Sequence, residues 1–328
     1  MPGLITTAPG KIVLSGEYAV LDGAPAVCMA VNRRARVTVT DTETDWHSVL
    51  APGYSAREGR FVTGENGLEW LANREAYALV DYVWQAAGVV LNQHYRFLLD
   101  TNAFVDLPSG RKLGIGSSAA LASAFARALC ELTGRAHHAA DIAQSAHRRM
   151  QQGSGVDVAC SLQGGIIEYR MSKPRPAQLE WPDGLFFAVL WSGVAADTRE
   201  KLGRLAASKP KTSRTELAKA AACVAGTWRD GSAAAVLTEI RAYTNALRQF
   251  DVDHELGIFD AGHLNLTDAA AADGVVYKPC GAGGGDIGIV FATDETAIQT
   301  FIGKASTAAF RPLDLAIEPR GVQVKRTC

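Results

Sequence analysis

From Leu107 to Gly134 the chain reads LPSGRKLGIGSSAALASAFARALCELTG, a glycine-punctuated turn running directly into an alanine- and leucine-rich segment. Alanine and leucine are the best helix formers, so a helix is predicted from about Ser117, and Gly134 is placed to end it in a left-handed conformation. The turn constrains the fold because glycine lets the backbone approach a ligand or a neighbouring element closely. The helix start that follows offers unpaired N–H groups and the positive end of its dipole to an anion. Gly114 and Gly116 would form a phosphate cradle, Ser117 and Ser118 would add hydroxyls for phosphate oxygens or Mg²⁺, and Lys112 would add a point charge. The same letters also read as an ordinary turn and N-cap, and the segment by itself leaves both readings open. Better-known phosphate loops do not fit. No GK[ST] ends the glycine run, Ala119 stands where a dinucleotide fingerprint needs its third glycine, and neither a VAIK-type strand nor an HRD-type loop occurs.

Three further segments carry candidate chemistry. In APGKIVLSGEYAVLDGAPAV, residues 8–27, Lys11 opens an apolar run and the turn SGEY brings Glu17 and Tyr18 close behind it. A lysine starting a strand is ordinarily a solvated edge charge, and the two turns crowded into this span set it apart. KPCGAGGGD, residues 278–286, packs four glycines into five positions, each costing conformational entropy in a fixed structure. Gly281, Ala282, Gly283, Gly284 and Asp286 are therefore read as a loop that approaches a ligand rather than as a bland hairpin. In GSGVDVA, Asp157 and Ser154 precede or open a partly buried helix. The aspartate is either a helix-start residue or a carboxylate that accepts a proton from a substrate hydroxyl, and spacing does not choose between them.

Composition narrows the class. At 328 residues the chain is too long for one ordinary core and suits two packed domains. A net charge of −1 argues against nucleic acid or an acidic membrane surface as the main partner. No basic, apolar leader opens the chain, and the most apolar stretch, residues 78–91, is broken by Asp81 and Gln85. The six cysteines, Cys28, Cys130, Cys160, Cys223, Cys280 and Cys328, lack metal spacing and read as buried reduced thiols, which suits the cytoplasm. His147 and His254 have no metal-ligand partner at a useful spacing and are read as structural or surface residues.

Periodicity predicts strands at residues 12–14, 35–40 and 95–99, with loop over 42–67 except for one short strand. A helix is expected over 68–90, with Leu71, Leu79, Val83 and Ala87 on one face, and another from Ala139 to about Gln152. Three prolines in MSKPRPAQLEWPDG put the domain junction at 175/176, giving domains 1–175 and 176–328. Beyond it a buried strand is expected over 185–190, helices over 213–228, 232–250 and 253–272, and strands over 275–278 and 287–292. Interleaved strands and helices make the class α+β.

In this order, PGKIVLSGEYAVLDG, KLGIGSSAAL, GSGVDVA and KPCGAGGGDIGIVF resemble the signature of the GHMP kinase superfamily, over residues 8–292. GEYAVLDG, the Lys-x-Gly-x-Gly-Ser-Ser form without a double proline before it, and KPCGAGGGDIGI are most similar to its phosphomevalonate kinases. The resemblance implies an N-terminal domain like ribosomal protein S5 domain 2 and a ferredoxin-like C-terminal domain with extra helices, with the site between them. It implies an ATP- and Mg²⁺-dependent phosphotransferase acting on a small phosphorylated hydroxy acid, phosphomevalonate before mevalonate, as a monomer or homodimer. Gly114, Gly116, Ser117 and Ser118 would hold the ATP phosphates with Lys112 nearby, and Ser118 would also ligate Mg²⁺. Asp157 would act as base or orient the acceptor oxygen, and Lys11 would neutralise charge. Glu17, Tyr18, Ser154 and the Gly281–Asp286 loop would meet the substrate. Three departures bear on the acceptor: Cys280 replaces the family's serine, QQGSGVD is shorter than the family form, and the chain is short. Lys112, Arg148 and Arg149 are candidates for the acceptor's phosphate by sequence proximity. A mevalonate kinase, a non-catalytic descendant and the decarboxylase branch of the superfamily are the rival readings.

Overall fold

The computed structural model describes residues 3–64, 67–151, 153–173, 175–209 and 211–327. In chain order, β1 (Gly3–Ser15), β2 (Ala26–Asp41), β3 (His47–Ala51), β4 (Ser55–Gly64) and β5 (Gly67–Ala72) lead to α1 (Ala78–Ala87) and β6 (Tyr95–Asp100). The short hairpin β7 (Val105–Asp106) and β8 (Arg111–Lys112) precedes α2 (Ser117–Leu132), α3 (Ala139–Gln151), α4 (Val156–Gln163), β9 (Ile166–Tyr169) and β10 (Ala177–Leu179). The remainder runs β11 (Phe186–Trp191), α5 (Thr198–Ala207), α6 (Thr212–Asp230), α7 (Ala233–His254) and α8 (His263–Ala272). It closes with β12 (Val276–Pro279), β13 (Ile287–Ala292), α9 (Glu295–Thr307), β14 (Arg311–Leu313) and β15 (Gln323–Thr327).

The long β2 is the spine of the larger sheet. β1 lies antiparallel along one edge, while β9 pairs with its first half and β6 with its second. β3 joins β6 in parallel, β4 and β5 follow as antiparallel neighbours, and β10 extends β9. α2 lies on β1 and β2, flanked by α1, α3 and α4. Its alanines do more than favour helix: Ala119, Ala120, Ala122, Ala124, Ala126 and Ala128 are buried, so their small side chains let the helix axis approach the sheet. Thr6 on β1 even donates its hydroxyl to the Ala124 carbonyl at 2.7 Å. The second sheet, β12-β13-β11-β14, is antiparallel; its β13 is buried along its whole length, with α9 packed on β13 and β11 and with α7 and α8 on β12.

The expected loop over 42–67 and helix over 68–90 are both corrected. β3 and β4 occupy the former, and β5 takes 67–72, leaving α1 only from Ala78. In β5 Leu68 and Trp70 turn inward while Glu69 and Leu71 face solvent, a period of two that the helical reading of Leu71 overlooked. What decides this is an aromatic cluster of Phe61, Trp70, Trp84 and Phe97 around His47, available only once β3–β6 and α1 are assembled. The helix expected over 253–272 starts only at His263, because residues 255–262 turn with Glu255 and Ala261 at positive φ. α5 was not foreseen. Residues 139–151 form the predicted helix; Gln152, Pro174 and Cys328 lie outside the described residues.

The crossing between sheets follows β10, which still belongs to the larger one. The last strand then returns: β15 pairs with β1, from Gly3 opposite Thr327 to Thr7 opposite Gln323. Cys28, Cys130, Cys160 and Cys280 are buried free thiols, whereas Cys223 is exposed on α6.

Candidate active site

The four sequence segments meet at one place. A register shift after Pro9 frees β1 to bond elsewhere, and the Lys11 N–H donates to the Ile115 carbonyl at 2.9 Å, pinning the glycine turn to the strand. Gly116 caps α2 at φ 82°, and a Cβ there would lie 2.9 Å from Lys11 Cε. Gly114, at φ 76°, lies so close to Asp286 that a Cβ would come within 2.3 Å of that side chain. Both glycines are therefore required by close approach as well as by backbone conformation. No side chain caps α2, so its first N–H groups remain available.

Lys11 Nζ reaches Asp157 Oδ2 at 3.2 Å; the lysine side chain is 9% exposed and the aspartate 28%. Asp157 stands in the first turn of α4, which Gly155 opens at φ 90°. Burial opposes the charge on Lys11, but the adjoining Asp157 carboxylate outweighs it and holds the ammonium above its ordinary pKa. The pair lines a cavity of about 140 Å³ together with Tyr18, Ser154, Gly281 and Ala282. Ser154 Oγ accepts the Val156 N–H at 3.3 Å and so braces the start of α4.

Beside it a cleft of about 340 Å³ runs past Ser117 and Ser118 to Lys112, Tyr54 and Tyr77. Lys112 is exposed, its ammonium 5.3 Å from the centre of the Tyr54 ring. Ser118 Oγ lies 3.3 Å from His147 Nε2 and accepts from Gln151 Nε2 at 3.3 Å. His147, only 4% exposed, thus lines the cavity rather than the protein surface. Burial lowers its pKa, with nearby Lys11 adding to the effect and Asp157 opposing it, so it faces Ser118 as a neutral ring. His254 is the structural residue expected, bonded to Ser208 at 2.7 Å.

Glu17 and Tyr18 line the cavity and also tie the SGEY turn to other elements. Glu17 Oε1 takes a hydrogen bond from Lys278 Nζ at 2.5 Å, with side-chain exposures of 2% and 0%, and Oε2 accepts from the Tyr243 hydroxyl at 2.7 Å. Tyr243 in turn accepts the Gly16 N–H at 3.0 Å. The carboxylate thereby joins the SGEY turn to α7 and β12. Burial lowers the Lys278 pKa while Cys280 and Glu17 raise it, and the net shift is upward. Because burial pushes the Cys280 thiol up to about 12, that thiol is neutral near pH 7 and Glu17 is the counter-ion that matters. Tyr18, held at φ 60°, donates its hydroxyl to the Ala282 carbonyl at 2.6 Å and ties the same turn to the glycine loop.

That loop is left-handed at Gly281, Gly283, Gly284 and Asp286. Only Gly281 and Ala282 line the cavity; Gly283 packs on Ile258, and Gly284 donates its N–H to the Ile258 carbonyl at 2.7 Å. Asp286 is anchored by its own N–H to Val194 and accepts from Ala196 at 3.4 Å, and burial raises its carboxyl pKa. Cys280 faces inward, 4.0 Å from Lys278 Nζ. His263 lies beneath, bonded to the Tyr277 hydroxyl at 2.8 Å and the Gly285 carbonyl at 3.1 Å. Sequence reasoning missed His147, Gln151, Tyr243, Lys278 and His263 as parts of the site. The i, i+4 spacing of His147 and Gln151 was the one available signal; Tyr243 sits in the helix expected over 232–250, where nothing set it apart.

Residues 81–165 match the GHMP kinases N terminal domain. Phosphomevalonate kinase of Streptomyces sp. (strain CL190) is 30% identical, over 97% of this chain and 98% of that protein. In structure, Lin0012 of Listeria innocua superposes with a TM-score of 0.86 at 23% identity, covering 98% of this chain and 99% of the other. The Streptococcus pneumoniae phosphomevalonate kinase, solved with phosphomevalonate and AMPPNP, superposes with a TM-score of 0.78 at 16% identity and the same coverage.

Proposed function

This chain belongs to the GHMP kinases, and from that premise we propose that it transfers the γ-phosphoryl group of ATP to phosphomevalonate, yielding the diphosphate. The observation that carries the reading is the contact of Lys11 with both Gly116 at the anion seat and Asp157 across the cavity. Phosphoryl transfer has a loose transition state with charge spread over the moving oxygens, so an enzyme chiefly positions groups and stabilises that charge. The start of α2 supplies N–H donors, and Lys11, charged and largely buried, supplies a cation in a low-dielectric setting. The nucleotide phosphates belong over Gly114–Ser118, with the rest of the nucleotide in the cleft toward Tyr54 and Lys112.

Asp157 fixes Lys11 and orients the acceptor oxygen. An acceptor phosphate is already largely ionised at neutral pH, so it needs little deprotonation, whereas a hydroxyl acceptor would use Asp157 as a base. Mg²⁺ needs only one or two protein oxygens beside phosphates and water. The Ser118 hydroxyl and the Asp157 carboxylate, which both adjoin His147, suit that demand. When bound, the ion would neutralise phosphate charge, and Ser118 is the residue that would hold it. The protein acts on small molecules, as a monomer or homodimer in the cytoplasm; among the described residues no helix is long and apolar enough to cross a membrane.

The test is ADP release by the purified protein with phosphomevalonate, mevalonate and homoserine in parallel. Turnover is expected with phosphomevalonate. Robust turnover with mevalonate and none with phosphomevalonate would replace this reading with that of a mevalonate kinase.

A further inference from the structure

The catalytic cavity does not end at Asp157. Past Leu21, Gln151 and Leu202, which line both spaces, it opens into an annex of about 560 Å³ between the end of α3 and α5. The annex walls hold three guanidinium groups, those of Arg149, Arg199 and Arg214, and no carboxylate. Two of these cations have partners: Arg214 clamps both oxygens of Asp22, and Arg199 donates to the Met150 carbonyl at 3.3 Å. The Arg149 side chain is exposed and makes no hydrogen bond or ion pair among the described residues. Arg199 also lines the cleft past Ser118, so it stands where the annex meets the phosphates, whereas Arg149 and Arg214 face the annex alone.

A guanidinium without a counter-ion beside two others leaves a standing positive potential, in a chain whose overall charge is −1. Its planar donor fork matches a carboxylate in two parallel hydrogen bonds. The neck at Leu21 and Leu202 is apolar and suits an aliphatic segment between two polar ends. A ligand with its phosphorylated end between Lys11 and α2 would lay its other end through this neck. We propose that the annex is the recognition site for the carboxylate at the far end of the acceptor, with Arg149 as its principal cation and Arg199, which has no carboxylate partner, reinforcing the field. This rests on the reading of the acceptor as a phosphorylated hydroxy acid, and it makes the annex the element that rejects phosphate esters lacking a carboxylate.

The experiment compares phosphomevalonate with its carboxamide, in which a neutral amide replaces the carboxylate, by calorimetric binding and by acceptor KM. The native protein should bind the acid at least tenfold more tightly than the amide. Arg149→Gln should weaken the acid about tenfold and the amide less than twofold, Arg149→Lys should fall between, and the KM for ATP should move less than twofold. Equal weakening of acid and amide, or of neither, would overturn the assignment, the first by showing that Arg149 serves the phosphate or the fold. Should the native protein turn over mevalonate and not phosphomevalonate, the acceptor reading falls separately. The same acid-against-amide comparison run on mevalonate would then still judge the annex.

Discussion

The buried Glu17–Lys278 pair offers a test of how the two sheets are joined at the site. Both side chains are almost wholly withdrawn from solvent, and the second carboxylate oxygen is held by Tyr243. Lys278→Met leaves Glu17 buried with only the tyrosine as partner. Removing one member of such a pair costs about 3–5 kcal/mol, because the remaining charge is stranded in a low-dielectric interior. Glu17→Gln should cost a comparable amount by stranding Lys278. Replacing both together removes both charges, and exchanging a buried ion pair for neutral groups is often close to neutral. The double variant is therefore expected to be more stable than either single one, with a coupling energy on the order of 3 kcal/mol. Urea unfolding followed by tryptophan fluorescence would read it, with both singles shifted well below the native midpoint and the double shifted back. If Lys278→Met unfolds at the native midpoint, or the double variant loses the sum of the singles, the pair is not the desolvated unit described.

Other expectations follow from the same geometry. Asp157→Asn should lower turnover by about a hundredfold or more while nucleotide binding persists, because Lys11 loses its partner and the acceptor oxygen its orienting group; single-turnover kinetics with fluorescence-detected nucleotide binding checks both halves. Gly114→Ala would put a Cβ against Asp286 in a left-handed backbone, adding roughly 1–2 kcal/mol of backbone strain to a clash that neither anchored element can relieve, and should lower both the melting temperature and activity. His263 has its pKa lowered to about 4, chiefly by burial, against an ordinary 6.5. The unfolded chain then binds a proton that the folded one refuses, so this contribution is complete above pH 6.5 and is lost as pH falls towards 4. That loss is on the order of 3 kcal/mol, and His263→Gln should flatten the slope of stability against pH over that window, with His47, His147 and His254, also lowered by burial, keeping the remainder.

Much of the site was legible because each segment announces a local physical demand. Glycines at 114 and 116 and the glycine run before Asp286 report where backbone must come close to something. β13 and the body of α2 were legible as well, since an unbroken apolar run and an alanine-rich helix each follow from local composition. The strands β3–β5 were not, because residues 42–72 carry weak periodicity and become strands only when Phe61 and Trp70 find Trp84, Phe97 and His47.

By itself the sequence determined where glycine had to let the backbone turn and where a helix had to begin, since those follow from sterics within a few residues. Only the tertiary structure decided what each functional side chain would do. Glu17 lines the cavity, and only the fold adds that its carboxylate is also a buried anchor, held by Lys278 and Tyr243 more than two hundred residues away. His147 reads like a bystander and becomes a wall of the cavity because α3 packs against α2 and α4. Charge and hydrogen bonding take their value from solvent exclusion and from partners, and neither exists until the chain has folded.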